Sequence, residues 1–207
     1  MDLFKLLIDL DSVHPNFRSI LGESKAPERE ELLRWANGFP NRDGKFVKEF
    51  QTSFNSSFWE IYLHALFRAL GFEFDWTHST PDFSLKYSGT QLTVEATTAN
   101  ASEGKPAEWE HLLKAEELKD MRFAEMNRES IIRLSNSIIS KWKKYKSSYS
   151  SLPHVSNRPF ILAVAPFEQP EFNLQYNRPI VALLYDYYVD EDAYLLSSRQ
   201  YRRQLAP

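Results

Sequence analysis

The chain has 207 residues, of which 43% are apolar and 14% aromatic, and it carries a formal net charge of −3. It is too hydrophobic for a disordered chain, and no stretch is long and apolar enough to cross a membrane, so we expect a soluble, folded protein. The absence of cysteine excludes disulfides and thiolate metal sites. The charge provides no overall attraction to nucleic acid, so any such binding needs a local basic surface.

Residues 1–50 predict a helical extension that packs on the rest of the chain. The opening MDLFKLLIDLDS interrupts its apolar run with charges, unlike a secretory signal, and a cytoplasmic location is expected. Pro27 in a first turn and Gly38 at a stop predict a helix between them. The side chains of this helix expected to dock on the core are Leu32, Leu33 and Trp35. A partner-binding face is the alternative for them.

Residues 55–72 predict a well-packed helix, because the segment opens with N-cap residues and ends at Gly71. Its apolar positions recur at helical spacing: Phe58, Ile61, Tyr62, Ala65, Leu66 and Ala69. The next residues, FEFDWT, alternate in the manner of a half-buried strand. DFSLKY and QLTVEAT repeat that alternation around a turn at Ser88-Gly89, which predicts a hairpin.

The second half of the chain predicts a long helical region from about Trp109 to Tyr145, with a break near its middle as the alternative to one continuous helix. After a polar loop, PFILAVAPF is typical of a strand buried on both faces in the middle of a sheet. RPIVALLYDYY predicts a further helix, although its β-branched and aromatic residues leave a strand open. The order of helix, three strands, helix, strand and helix indicates an α/β protein.

The hairpin brings two carboxylates together. If Ser88 and Gly89 are the turn residues, Asp82 lies directly opposite Glu95, with Cβ atoms about 4.5–5.5 Å apart. The other face of the hairpin is apolar and sets this register: Phe83, Leu85, Leu92, Val94 and Ala96. Opposed like charges are destabilising unless a cation or proton lies between them, and Mg²⁺ prefers such oxygen ligands. The alternative is that both carboxylates are solvated on an exposed face.

These motifs follow the order of a known superfamily: Glu60 on a helix, Pro81-Asp82 entering a strand and Glu95-Ala96-Thr97 ending the next. From about residue 50 to residue 165 the chain resembles the PD-(D/E)XK nucleases. The resemblance implies a restriction-endonuclease-like core (helix, three strands, helix, strand) with a central mixed sheet, here in residues 51–207. The stretches FNSSFWE, VEATTAN and PHV-x-x-x-PF are similar to those of bacterial proteins of uncharacterised function.

The resemblance also implies roles for single residues. Asp82 and Glu95, with the carbonyl of Ala96, would bind Mg²⁺, or Mn²⁺ in its place. Glu60 would be the helix acid that many members direct toward the metal. The alternative for Glu60 is a surface residue paired with His64 one turn on.

Thr97 departs from the family pattern, in which a lysine at this place stabilises charge at the scissile phosphate. The following helix offers a replacement, because Arg133, Ser137 and Lys141 recur every fourth residue and line one stripe. An apolar stripe lies beside it: Leu134, Ile138, Trp142 and Tyr145. Some members carry the basic residue on this helix, so Lys141 is predicted to be catalytic. The alternative is a lysine that snorkels from the edge of the core.

The dense basic run in the sequence, from residue 141 to residue 146, is interleaved with aromatics. It could contact phosphates while the aromatics stack on bases. The residues predicted to bind nucleic acid, DNA more than RNA, are Arg133, Ser137, Lys143 and Lys144. A solvated helix face is the alternative. His78 precedes the Asp82 strand and could approach the site, although an isolated loop histidine is more often a surface residue.

The leading hypothesis is an intracellular Mg²⁺-dependent nuclease, with Asp82, Glu95, Lys141 and Glu60 as its catalytic residues. The rival is an inactive nuclease-like fold that binds nucleic acid or protein. A third interpretation is a nuclease domain of a longer protein, and a homodimer or additional subunits are compatible with each.

Overall fold

The computed structural model describes residues 1–41, 44–110, 114, 116 and 122–204, with residues 198–204 described by their backbone alone. The chain divides into two compact units. Unit 1 comprises Met1–Thr98 and Ile138–Ala165, and unit 2 comprises Ala99–Ser137 and Pro166–Pro207. Among the helices so described, none combines the length and apolarity that a membrane crossing requires.

The protein is α/β, with a four-stranded mixed sheet, as the order of elements predicted. The strands are β1 (Glu73–Asp75), β2 (Phe83–Tyr87), β3 (Thr90–Asn100) and β4 (Phe160–Phe167), in that spatial order. β1 and β2 are antiparallel, and so are β2 and β3. Since the sheet is mixed, β3 and β4 form its parallel pair.

β4 lies at one edge of this sheet, so the prediction of a central strand buried on both faces is wrong. Most of its side chains are half-buried, and Ile161 is 44% exposed. A continuous apolar run reports the hydrophobicity of both faces of a strand, and it does not report the number of neighbouring strands.

Three helices lie in the N-terminal part of the chain: α1 (Pro15–Ile20), α2 (Ala26–Trp35) and α3 (Phe46–Thr52). Their buried side chains share one hydrophobic cluster with the sheet, in which Phe17, Phe50 and Phe83 are fully buried. Buried Gln51 ties the N-terminus to α3, because its side chain accepts from the amide of Leu7 and donates to the carbonyl of Lys5. This polar side chain is therefore satisfied within the core.

Helix α4 (Phe54–Ala69) forms where predicted, but its buried face is shifted. Leu63 and His64 are buried, whereas Tyr62 and Leu66, both expected on the buried face, are 37% and 38% exposed. The Nδ1 atom of His64 lies 2.8 Å from the carbonyl oxygen of Trp35, at the end of α2. Packing against α2 and this hydrogen bond place His64 on the buried face of α4. The apolar pattern of the sequence alone does not reveal this.

The β2–β3 hairpin has the predicted register, with Phe83 paired to Val94 and Leu85 paired to Leu92. Ser88 and Gly89 form its turn, with φ of 47° and 80°. Positive φ at both positions is the geometry of a type I′ turn, whose twist matches that of the strands.

Away from its turn, the hairpin is buried on both faces. The apolar face lies in the main cluster, as expected, and Ser84, Thr93 and Glu95 on the other face are 7%, 0% and 2% exposed. A solvated location for Glu95 is thereby excluded.

Helix α5 (Phe123–Lys144) begins later than predicted. Residues 108–110 form a turn, and the rest of the predicted helix up to residue 121 lies mostly outside the described residues. The amides of Phe123 and Ala124 donate to the carboxylate of Asp192, which satisfies the first amides of the helix. The chain continues from α5 into a π-helical turn, Tyr145–Tyr149.

Two helices end the described chain in unit 2. Helix α6 (Arg178–Tyr185) confirms the helical prediction for this segment. Helix α7 (Glu191–Gln204) was not predicted. Arg178 and Glu191 form an ion pair between them, with Nε and Oε1 2.6 Å apart.

Candidate active site

The hairpin register brings Asp82 and Glu95 face to face. Extending the observed pairs by one position from Phe83 and Val94 places Asp82 opposite Glu95, as predicted. The Oδ2 atom of Asp82 accepts a hydrogen bond from the backbone amide of Ala96, with a donor–acceptor distance of 2.7 Å. The Asp82 side chain therefore reaches across to β3 and is held next to Glu95.

Glu95 is buried and receives three donors on one carboxylate oxygen. Its Oε1 atom lies 2.7 Å from Nζ of Lys141, 3.2 Å from Nζ of Lys144 and 3.4 Å from the hydroxyl of Tyr149. Lys141 and Lys144 are three residues apart in the last turn of α5 and so project from the same face. The two ammonium groups supply positive charge beside Glu95, where the sequence predicted a metal ion.

The second oxygen of Glu95 is different. Its Oε2 atom is buried and has no hydrogen-bond partner among the residues that the structure describes. A buried acceptor without a partner costs about 1–3 kcal/mol, and more when it carries charge. The site thus contains an anionic oxygen whose coordination is incomplete.

Asp82 titrates in an unusual range. Burial and the neighbouring charge of Glu95 raise the pKa of Asp82 to about 6, against the opposing effects of the Ala96 amide and the two lysines. The Asp82 carboxyl is therefore largely protonated below about pH 6 and an anion above it.

Lys144 is held as a cation. Partial burial lowers the pKa of Lys144, but its hydrogen bond to Tyr149 and the charge of Glu95 outweigh this effect, so the pKa is raised overall. The positive charge beside Glu95 thus persists throughout the neutral range.

No protein-family model, curated protein or solved structure matches the chain. The residues of the site are therefore the only indication of its chemistry.

The donor set suits a hard cation with few protein ligands. No group of three or more His, Asp or Glu side chains able to hold a metal ion occurs within the described parts of the chain. Mg²⁺ commonly binds through only one or two carboxylates and completes its octahedron with waters and substrate phosphates. Asp82 and the incompletely coordinated Oε2 of Glu95 fit that requirement.

Two other residues implied by the family resemblance lie on elements of unit 1. Glu60 is half-buried on α4, and Thr97 is half-buried on β3 two residues beyond Glu95, on the same face of the strand. The role of Glu60 as a catalytic acid, like that of the Ala96 carbonyl as a ligand, stays a prediction.

The residues predicted to bind nucleic acid are in three different environments. Lys144 lies on Glu95, inside the site, and Lys143 is exposed on the same helix. In unit 2, Ser137 is half-buried and Nε of Arg133 donates to the carbonyl of Asn100 at 2.7 Å. Two of the predicted residues, Arg133 and Lys144, are therefore already hydrogen-bonded within the protein.

Tyr149 and the local role of Lys144 were missed by sequence reasoning. The spacing of Lys144 from Lys141 was a signal that could have been used, since residues three apart share a helix face. Tyr149 had no such signal. It reaches Glu95 through the π-helical turn, whereas the composition of residues 147–149 is typical of a loop.

A histidine pair lies beside the loop that leads to Asp82. The rings of His78 and His154 stack with centroids 3.7 Å apart and planes 3° apart, and His78 is exposed, as expected of a loop histidine. The Nε2 atom of His154 lies 2.6 Å from the carbonyl oxygen of Thr80. This contact holds the segment two residues before Asp82.

Proposed function

We propose that the protein is a metal-dependent nuclease of the PD-(D/E)XK type, in which Asp82 and Glu95 hold Mg²⁺ or Mn²⁺ and Lys141 is the catalytic lysine. The observation that carries the proposal is the 2.7 Å contact between Nζ of Lys141 and Oε1 of Glu95. It supplies, from the following helix, the ammonium group that Thr97 lacks. The α/β class and the mixed sheet are compatible with the restriction-endonuclease-like core that the proposal requires.

The incomplete coordination of Glu95 supports metal binding at this pair. A metal ion bound by Asp82 and Oε2 of Glu95 would act as a Lewis acid on a phosphate oxygen and lower the pKa of a water ligand. Lys141 and Lys144 both donate to Oε1 of Glu95, so they leave Oε2 of Glu95 available to the metal ion.

The lysines provide the electrostatic part of the reaction. The Lys141 side chain is 25% exposed, so its ammonium group is both anchored by Glu95 and open to a phosphate at the surface. A preorganised cation stabilises the charge that develops on the phosphate oxygens without reorganisation during the reaction. Tyr149 and Lys144 restrain the same oxygen of Glu95, Oε1.

Cleavage assays with site variants and matched controls test the proposal. DNA and RNA, single-stranded and duplex, are incubated with Mg²⁺ or Mn²⁺ and the parent, Asp82→Asn, Glu95→Gln or Lys141→Gln. We expect each variant to lose about 100-fold or more in rate, the size typical for removal of a preorganised electrostatic contact. Equal cleavage by the parent and Asp82→Asn would contradict the proposal.

The controls come from an exposed ion pair on the same sheet. Glu73 and Lys86 lie on β1 and β2, with Nζ and Oε2 3.7 Å apart, and both side chains are more than half exposed. Glu73→Gln and Lys86→Gln remove the same chemical groups away from the site. They should cleave like the parent.

Metal binding is measured separately from activity. Mn²⁺ titration followed by electron paramagnetic resonance should show one bound ion in the parent and in Glu73→Gln. Binding should be lost in Asp82→Asn and Glu95→Gln.

A binding protein with a nuclease-like fold is the second candidate. It is favoured by the two ammonium groups on Glu95, which already compensate its charge in the absence of a metal ion. This candidate predicts nucleic-acid binding without Mn²⁺ uptake and without cleavage products. The two assays above therefore separate it from the nuclease.

A further inference from the structure

An aromatic surface lies next to the proposed active site, at the end of α5. Trp142 directly follows Lys141 and is 50% exposed, although its spacing predicted a place on the apolar stripe. Its ring stacks on Tyr145, with centroids 5.6 Å apart and planes 16° apart. Tyr145 in turn packs on Phe160 of β4 at 4.4 Å. The indole thus rests on Tyr145, and half of the Trp142 surface is exposed to solvent.

Positive charge surrounds this surface. Nζ of Lys146 lies 5.1 Å from the centroid of the Trp142 ring, and Lys143 is exposed on the adjoining position. Residues 138–165 contain four lysines and one arginine but neither aspartate nor glutamate, in a chain whose net charge is −3. Lys141 and Lys144 lie on Glu95 and belong to the proposed active site, so the lysines left for the flanking phosphates are Lys143 and Lys146. We call the group Trp142, Lys143, Tyr145 and Lys146 the aromatic–basic patch.

We propose that the aromatic–basic patch binds single-stranded nucleic acid, with an unpaired base stacked on Trp142 and the adjacent phosphates near Lys143 and Lys146. Bases inside a duplex already stack on one another and cannot offer a face to an indole, whereas an unpaired base can. Phosphate charge explains the run of basic residues without acids. An apolar protein partner would not account for two lysines beside the exposed ring.

This inference rests on the proposed function in one respect. If the protein is a nuclease, the single strand bound by the patch is its substrate. Lys141 and Trp142 are consecutive residues in the last turn of α5. A strand with one base stacked on Trp142 would therefore bring one of its neighbouring phosphates toward the proposed active site.

Binding is measured without cleavage, in EDTA, by fluorescence anisotropy. The probes are a labelled oligothymidylate, the same strand annealed to its complement, and a labelled oligouridylate. We expect both single strands to bind more tightly than the duplex. Trp142→Leu should weaken single-strand binding about tenfold, as expected for the loss of one base–aromatic stack, and Trp142→Phe should retain part of the affinity.

Two controls match the variants. Tyr87 is an aromatic side chain of equal exposure, 50%, at the hairpin end, so Tyr87→Leu should bind like the parent. Lys146→Gln should reduce the slope of log affinity against log salt by about one, and Lys86→Gln should leave the slope unchanged.

The inference is overturned if the duplex binds the parent as tightly as the single strands do, or if Trp142→Leu binds like Tyr87→Leu. A difference between the two single-stranded probes shows whether DNA or RNA is preferred, and either preference supports the inference. Single-strand binding without cleavage or Mn²⁺ uptake would sustain the patch and refute the nuclease. Cleavage by the parent, together with equal single-strand binding by Trp142→Leu and Tyr87→Leu, would sustain the nuclease and refute the patch.

Discussion

The Nζ atom of Lys141 lies 2.7 Å from Oε1 of Glu95, although 46 positions separate the two residues along the chain. The contact joins the last turn of α5 to the middle of β3 and couples a basic group to a buried carboxylate. Because Glu95 is 2% exposed, its charge depends on this neighbour more than on water. The same ammonium group therefore serves the stability of the fold and, in the proposed reaction, the phosphate.

Removing the Lys141 charge should destabilise the protein as well as inactivate it. Lys141→Gln leaves Glu95 with Lys144 and Tyr149 only, and we expect the free energy of unfolding to fall by about 2 kcal/mol, below the full cost of breaking a buried pair. Lys144→Gln should cost under about 1 kcal/mol, because the Lys144 side chain is 48% exposed. Urea unfolding at neutral pH measures both. A larger loss for Lys144→Gln than for Lys141→Gln would contradict this order.

The raised pKa of Asp82 predicts a specific pH dependence. The folded pKa, about 6, lies above the value of 3.8 for an unperturbed aspartate, so the folded state binds this proton more tightly than the unfolded chain. The resulting stabilisation is complete below about pH 3.8 and is lost as the pH rises through 6. Asp82→Asn should remove this dependence and stabilise the protein at pH 7 by about 1–2 kcal/mol, allowing for the solvent contact of the half-buried carboxyl.

Carbon-13 NMR of the aspartate carboxyls checks the titration directly, and urea unfolding between pH 4 and pH 8 checks its linkage to stability. Mn²⁺ binding to the parent should weaken as the pH falls through 6, since the proton and the metal compete for one carboxylate. Asp75 is the internal control, because hydrogen bonds from Thr77 lower the pKa of Asp75. An Asp82 resonance that titrates together with exposed aspartates near pH 4 would refute the assignment.

The parts of the site that depend on local periodicity could be predicted from the sequence. Alternation and a two-residue turn determine which hairpin positions face each other, so the opposition of Asp82 and Glu95 followed directly. The recurrence of Arg133, Ser137 and Lys141 at every fourth position of α5 also indicated Lys141 as the basic residue at the edge of the buried face. Both relationships involve one strand pair or one helix.

The parts that depend on tertiary packing could not be predicted. His64 is buried because the end of α2 provides a carbonyl for it, and Trp142 is exposed because Phe160 of β4 packs on Tyr145 instead. The approach of Tyr149 to Glu95 needs a π-helical turn, a rare conformation that the local sequence does not favour. Similarly, the number of strands beside β4 is a property of the sheet and not of its own residues.

The hairpin turn offers a prediction about register and stability. Ser88 and Gly89 both have positive φ, which glycine and asparagine tolerate better than other residues. Ser88→Asn should stabilise the fold by about 0.5 kcal/mol, and Gly89→Ala should destabilise it by about 1 kcal/mol. Gly22→Ala is the matched control, since Gly22 has a φ of −56° and room for a methyl group. Thermal unfolding measures all three. A loss for Gly22→Ala equal to that for Gly89→Ala would argue against the turn conformation as the cause.

A second buried carboxylate, in unit 2, should respond differently from Glu95. Glu168 is 1% exposed, and its Oε1 atom accepts a hydrogen bond from the hydroxyl of Ser130. The same hydroxyl accepts from the side-chain amide, Nε2, of Gln169 at 2.5 Å. The Oε2 atom of Glu168 has no hydrogen-bond partner, and Glu168 forms no ion pair, among the described residues. Ser130→Ala should therefore cost about 2–3 kcal/mol, because it leaves a buried carboxylate without its donor.

Glu168→Gln separates the cost of the charge from the cost of the lost hydrogen bond. With a neutral amide at position 168, the Ser130→Ala change should cost only about 1 kcal/mol, so the two substitutions should be non-additive in a double-mutant cycle of urea unfolding. Ser197→Ala is the control, because the exposed Ser197 hydroxyl donates only to the carbonyl of Tyr194. Additive effects of Ser130→Ala and Glu168→Gln would mean that the hydroxyl does not stabilise the carboxylate charge. The coupling expected here follows from burial without a cation, whereas at Glu95 two ammonium groups provide that compensation.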